Sequence, residues 1–284
     1  METGDRSGIE TTPSAMARTT NDSSMRQKYA AVLPIHDEFW MTRETYANRL
    51  RSLGSSVGIA VAAFVVGNVV VLGVGLGLEA IGVPIFSRPT RTIFLSTVLL
   101  QGVAFGGVAL GYLHLRGIGW EFIRVRVPTS RDLAVTAVGA VTLLLLLVVA
   151  SALLSYLGIE SAQNQVVELG EENPLVFLLL VPLSFLLVGP GEELLFRGLI
   201  QGRLGESYST WGAIVLASGL FAAVHVFSLS GDGKFVYIGI VFGLALVLGA
   251  TYEYTGNLTV PALIHGAYNA VQFAVAYLTA TGAV

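Results

Sequence analysis

The feature that most constrains this chain is a succession of apolar runs, each about twenty residues long. The first clear one covers about residues 56–78, SVGIAVAAFVVGNVVVLGVGLGL. At 1.5 Å per residue a helix of that length crosses a hydrocarbon core of about 30 Å. Further runs lie near 93–115, 133–157, from Pro174 onward, 209–229, 235–252 and 258–281. With 54% apolar and only 12% charged residues, the composition excludes an ordinary soluble domain. The expected fold is all-α, a polytopic transmembrane helix bundle of about seven to eight spans, and the lipid bilayer is its first partner.

The chain divides on the same grounds. Residues 1–53 read as a disordered tail, rich in Ser, Thr, Asp and Arg up to residue 28, followed by an interfacial segment over 29–53. Residues 54–157 supply N-terminal membrane helices, and 175–282 hold most of the buried polar groups. Bases cluster in the tail and in the 116–132 loop, while the 158–174 loop carries only acids. The positive-inside rule then places the N-terminus in the cytoplasm, and with seven spans the C-terminus outside. With no cysteine there is no disulfide and no thiolate nucleophile. A net charge of −3 without a basic stripe leaves no nucleic-acid partner.

Inside the fourth apolar segment stands Gly191-Glu192-Glu193-Leu194-Leu195-Phe196-Arg197-Gly198. Arg197 is alone among the sixteen Lys and Arg in lying within such a segment. Ionisable groups at membrane depth cost at least about 2.5 kcal/mol each on insertion scales and usually line a functional cavity. Glu193 and Arg197, four apart, share a helix face in the favourable acid-before-base order and are expected to pair. Glu192 points about 100° away and is the freer carboxylate, fitted to act as a general base.

His225 is the one ionisable group of the fifth span. Glu192 and His225 lie at similar distances, roughly 20–27 Å of helix, from the turn near 205–208, so they are expected to face each other. A carboxylate and an imidazole in a low-dielectric cavity are an ordinary means of taking a proton from water. In the seventh span His265 and Asn269 are four apart on one face and both can donate hydrogen bonds to an oxyanion. Phe196, Phe221 and Tyr268 are candidate pocket residues, whereas His36 and His114 read as interfacial.

Together Glu192-Glu193-x-x-x-Arg197, Phe221-x-x-x-His225 and His265-x-x-x-Asn269 resemble the CAAX prenyl endopeptidase and bacteriocin-processing family of intramembrane proteases. The resemblance covers about 175–275. It implies an intramembrane endopeptidase that cuts a membrane-associated peptide or protein, prenylated CAAX peptides being one family substrate. Glu192 and His225 would activate water, His265 and Asn269 would bind the oxyanion, and Glu193 with Arg197 would support the site. A metal-free mechanism without cofactor is preferred, because Asn is a poor zinc ligand and no HExxH arrangement is present. A zinc enzyme using Glu192, His225 and His265 is the alternative mechanism. A non-proteolytic transporter or scaffold built on the same polar network is the alternative function. The expected location is the plasma membrane of a prokaryote.

Rhomboid-like serine chemistry is disfavoured because Leu216-Ala217-Ser218-Gly219 lacks the first glycine of the nucleophile motif. Aspartyl chemistry is disfavoured because Asp132 and Asp232 fall in loops and the other Asp lie near the N-terminus.

Overall fold

The computed structural model describes the backbone over residues 35–283 and side chains from Thr45. The tail expected over 1–28 and the first part of the interfacial segment lie outside the described residues. Arg49–Val284 form one compact unit.

Among the described residues there are eight helices: α1 (Ile35–Ala80), α2 (Pro89–Arg116), α3 (Ser130–Leu157), α4 (Gln165–Glu172), α5 (Leu175–Gly205), α6 (Thr210–Val224), α7 (Lys234–Thr255) and α8 (Thr259–Ala280). All but α4 correspond to the expected apolar runs. Among the described residues six are long and apolar enough to cross a membrane: α1 over Thr45–Ala80, α2, α3, α5, α6 with its extension to Ser228, and α7. The seventh expected run forms α8, equal to α7 in length at 22 residues, but falls outside these six. His265, Asn269 and Gln272 lower its apolar character, so length and hydropathy part company at the helix that carries half the polar site. The protein is an integral membrane protein with an all-α fold. Its one strand pairing is two residues long, with β1 (Gln163–Asn164) antiparallel to β2 (Leu229–Ser230).

Local sequence explains the ends of these helices. Thr129 and Asp132 form a reciprocal capping box at the start of α3, satisfying backbone donors that a helix start leaves unpaired. Gly256, in the left-handed conformation at φ 57°, ends α7 and lets α8 begin three residues later.

The packed interior lies around α5. Leu195, Phe196, Leu199 and Ile200 of α5 are buried against Phe221 and Ala222 of α6 and Ala245 of α7. A second cluster joins Leu143 of α3 to Leu244 and Leu248 of α7 and Val260 and Ile264 of α8. By contrast α3 has only 11% of its apolar window buried, so most of its side chains face outward as lipid-exposed residues do.

Two departures from regular helix shape the site. Short α-helical turns at Gly189–Glu193 are bracketed by π-helical segments at Ser184–Val188 and Leu194–Gln201. The facing part of α2, Thr97–Phe105, is also π-helical. Wide turns of this kind re-aim side chains and frequently occur at functional sites. Glycines then allow backbone to meet backbone. A Cβ on Gly191 would overlap the Gln101 carbonyl oxygen of α2. One on Gly189 would come within 2.6 Å of the Ala262 carbonyl oxygen of α8. The helix carrying Glu192 and Glu193 is thus pressed against both α2 and α8.

Gly191→Ala is expected to destabilise the protein by roughly 1–3 kcal/mol, the usual cost of overpacking. Gly107→Ala, on the same α2 but facing open space, should be neutral or slightly stabilising because it replaces a poor helix former. Thermal unfolding of both variants in detergent checks the contrast; equal midpoints would show that the α2–α5 contact is loose.

Candidate active site

Glu193 is fully buried on α5 and one of its oxygens is shared. Its Oε1 accepts from Arg197 Nη1 at 2.9 Å and lies 2.9 Å from His265 Nδ1 of α8. An ionised carboxylate only accepts, so His265 carries its proton on Nδ1 and presents Nε2 away from Glu193. The expected Glu193–Arg197 pair is therefore present, and the structure adds His265 to it. Arg197 reaches further, donating from Nη2 to the Ala245 carbonyl of α7 at 3.1 Å and lying 4.4 Å from the centre of the Phe221 ring. Four residues on, Gln201 donates to the Gly249 carbonyl at 3.2 Å and to Glu253 at 2.9 Å. One stripe of α5 is thus bonded to successive turns of α7.

Glu192 is also buried but differently partnered. Its Oε1 accepts from Gln101 Nε2 of α2 at 2.9 Å. Its buried Oε2 has no hydrogen-bond partner among the described residues and lies 3.9 Å from His265 Nε2. That separation is too long for a direct hydrogen bond. Glu193 Oε2 is likewise buried without a partner among the described residues, and the two carboxylates differ at Oε1, which meets one side chain in Glu192 and two in Glu193.

His225 sits where α6 ends and a 3-10 turn, His225–Ser228, begins. Its Nδ1 is 2.8 Å from the Phe221 carbonyl oxygen. A carbonyl can only accept, so Nδ1 donates and Nε2 keeps its lone pair. Glu192 and His265 both lie within electrostatic reach of this imidazole. No direct hydrogen bond joins Glu192 and His225 among the described residues. The Phe221 ring separates and orients these groups, with its centroid 4.7 Å from His225 and 5.9 Å from His265.

The two histidines open onto a cavity of about 90 Å³. Its polar wall comprises His225, His265, Asn269, Tyr237, Tyr268 and Gln272. Its apolar wall is formed by Leu143 of α3 with Val241, Leu244 and Leu248 of α7. His225 of α6 and His265 of α8 therefore converge on one cavity. Asn269 reaches the cavity with its amide free of hydrogen-bond partners among the described residues. Tyr268 lines the cavity as expected, and Phe221 does so beside the histidines. Phe196 instead lies beneath, edge-on to Phe221 at 5.1 Å, and supports that ring rather than meeting the cavity. Gln101, Tyr237 and Gln272 were not among the sequence candidates. The signal for Gln101 was present as a lone amide in an otherwise apolar span.

The connector before α4 reaches the same end of the molecule. β1 pairs with β2 immediately after the His225 turn, with Gln163 opposite Ser230 and Asn164 opposite Leu229. This fixes the chain that follows His225 and limits how far the 3-10 turn can unwind.

Comparison with known proteins bears on this constellation. The family described as type II CAAX prenyl endopeptidase Rce1-like matches residues 174–271. The Rce1-like segment contains Glu192, Glu193, Arg197, His225, His265 and Asn269, and the family resemblance carried by the three motifs agrees with the match. A curated relative, the uncharacterized protein YpbD of Bacillus subtilis (strain 168), is 40% identical over 86 residues. That alignment covers 30% of this chain, which spans 40% of the length of YpbD. No solved structure matches the chain.

Among the described residues no three His, Asp or Glu side chains form a group able to hold a metal ion. Glu193 and the Nδ1 side of His265 are already committed to each other.

Replacing Arg197 with Met leaves the buried Glu193 carboxylate without its guanidinium. Breaking one partner out of a buried pair costs about 3–5 kcal/mol. The variant is expected to show a clearly lowered thermal midpoint, and an unchanged midpoint would mean that the pair contributes little to the fold.

Proposed function

We propose that the protein is an intramembrane endopeptidase that hydrolyses a peptide bond of a membrane-associated substrate with a water activated by Glu192 and His225. The observation that carries this reading is the buried, unpartnered Glu192 Oε2, 3.9 Å from His265 Nε2, next to a cavity lined by His225, His265 and Asn269. A buried acceptor without a partner is costly, and such costs concentrate where chemistry uses them.

The proposed sequence needs no metal. Water hydrogen-bonded to Glu192 Oε2 and His225 Nε2 loses a proton to the carboxylate as its oxygen attacks the scissile carbonyl carbon. The carbonyl oxygen becomes an oxyanion and receives hydrogen bonds from the Asn269 amide and, when it bears a proton on Nε2, from His265. Collapse reforms the carbonyl and breaks the C–N bond while the proton held by Glu192 passes to the departing amine. The products are a new amine and a new carboxylic acid, the second water proton remaining on the acid until it passes to His225 Nε2 or to water. Glu193 accepts from His265 Nδ1–H whether or not Nε2 is protonated, and so holds the ring in one orientation throughout.

The apolar wall suits an aliphatic or prenylated portion of the substrate, which motivates a prenylated CAAX peptide as the first substrate to assay. The basic N-terminal region and 116–132 loop support a cytoplasmic N-terminus, and the plasma membrane of a prokaryote is the proposed location.

The test compares wild type with Glu192→Ala, His225→Ala, His265→Ala and Asn269→Ala on prenylated and unprenylated CAAX peptides, with and without a chelator. Loss of the base or of His225 should lower turnover by at least about 10²-fold. Removing the Asn269 donor should cost about 10²–10³-fold in kcat. Chelation should leave the wild-type rate unchanged, and a chelator-sensitive rate would overturn the metal-free mechanism. Normal cleavage by Glu192→Ala would overturn the assignment of the base. A folded wild type that cleaves none of the peptides, while carrying a solute across vesicles, would favour the transporter reading.

A further inference from the structure

Gln101 stands outside the Rce1-like segment, on α2, in a span whose other side chains from Ile93 to Leu113 include no charged group. Its amide nevertheless donates to Glu192 Oε1 at 2.9 Å. Three independent features bring it there. Thr97–Phe105 is π-helical with Gln101 at its midpoint, which turns the side chain away from the position a regular helix would give it. Gly191, immediately before Glu192, has no side chain, so the α2 backbone at Gln101 lies directly on that turn of α5. Gly102, next along α2, is similarly close, a Cβ there falling 3.0 Å from Leu187 of α5.

The consequence concerns which carboxylate oxygen is available. A free carboxylate rotates about its terminal torsion and presents either oxygen. Here Oε1 is held on the α2 side, so Oε2, unpartnered and buried, is the oxygen directed toward His265 Nε2.

We propose that Gln101 is the positioning residue of the catalytic carboxylate: it fixes Glu192 Oε1 and thereby selects Oε2 as the proton acceptor. The proposal rests on the hydrolase reading for its kinetic consequence, but its structural content can be measured without turnover.

The decisive variants are Gln101→Met, which keeps the side chain's length while removing the donor, and Gln101→Asn, which keeps the amide one methylene farther back. Dicyclohexylcarbodiimide reacts with protonated carboxyl groups in apolar surroundings, and the modified residue is located by peptide mass mapping. In Gln101→Met, Glu192 Oε1 is released from its donor and the carboxyl is free to turn toward the reagent, so labelling of Glu192 should be several-fold faster than in wild type. Glu193, still held by Arg197 and His265, should label at the wild-type rate. Equal labelling of Glu192 in the two proteins would overturn the proposal whether or not any peptide is cleaved.

With a cleavable peptide, Gln101→Met should lower kcat by about tenfold to a hundredfold, the worth of one charge-assisted hydrogen bond. KM and the thermal midpoint should stay near wild type, and Gln101→Asn should recover part of kcat. A parallel fall of kcat and midpoint, with no recovery in Gln101→Asn, would make Gln101 a packing residue only. Faster Glu192 labelling in a wild-type-like fold that cleaves nothing would retain Gln101 as the partner of Glu192 and remove the hydrolase reading.

Discussion

The Oε1 atom of Glu193 is the point on which this structure depends. It is fully buried and is shared by a guanidinium from its own helix and an imidazole from α8, each at 2.9 Å. A lone ionised group at that depth would cost several kcal/mol, so each of the three requires the other two. Arg197 extends the connection to α7 through the Ala245 carbonyl. Three helices are thereby fixed relative to one another by one carboxylate oxygen. The same contact sets the tautomer of His265 and hence which of its nitrogens faces Glu192 and the cavity. Structural pairing and chemical readiness are here two consequences of one hydrogen-bonding arrangement.

Adjacent residues then divide the work because of helix geometry and its local distortion. Glu193 faces α7 and α8, while Glu192, about 100° around the helix, faces α2 and the histidines. Between the two π-helical segments of α5 the short Gly189–Glu193 turn is regular, and its glycines admit the α2 and α8 backbones. Close backbone approach through small residues is the general way membrane helices gain contact where apolar burial gives no net advantage over lipid. Here that approach also sets the distance between donors and carboxylates on different helices. The Phe221 ring, between Arg197 on one side and the two histidines on the other, keeps these groups apart at contact distance.

Much of this was legible before any coordinates. The apolar runs named all seven long helices because twenty consecutive apolar residues have few alternatives to a spanning helix. The four-residue spacing of Glu193 and Arg197 identified their pairing because both lie on one helix, where spacing fixes proximity. Contacts between helices were less accessible. Nothing in the spacing of His265 and Asn269 tells that His265 meets Glu193, since that depends on how α8 crosses α5. Gln101 escaped notice for a related reason: its partner is on another helix and its direction is set by a π-helical segment that apolar periodicity does not reveal. Gln201, four residues beyond Arg197, was within reach of the same spacing argument and extends the stripe to Gly249 and Glu253. Phe196 was misplaced by one layer, because a buried aromatic next to a catalytic motif reads alike whether it lines a cavity or supports the ring that does.

The central claim is that side chains from α5, α6 and α8 act on one reacting carbon. The most direct measurement is an experimental structure with a peptidyl phosphonate, whose tetrahedral phosphorus imitates that carbon after water has attacked. The account predicts one phosphoryl oxygen about 3 Å from the Asn269 amide and His265 Nε2, with the other facing Glu192 Oε2 and His225 Nε2. A phosphonate bound in the cavity with its oxygens on neither Asn269 nor His265, and with Glu192 turned away, would contradict it.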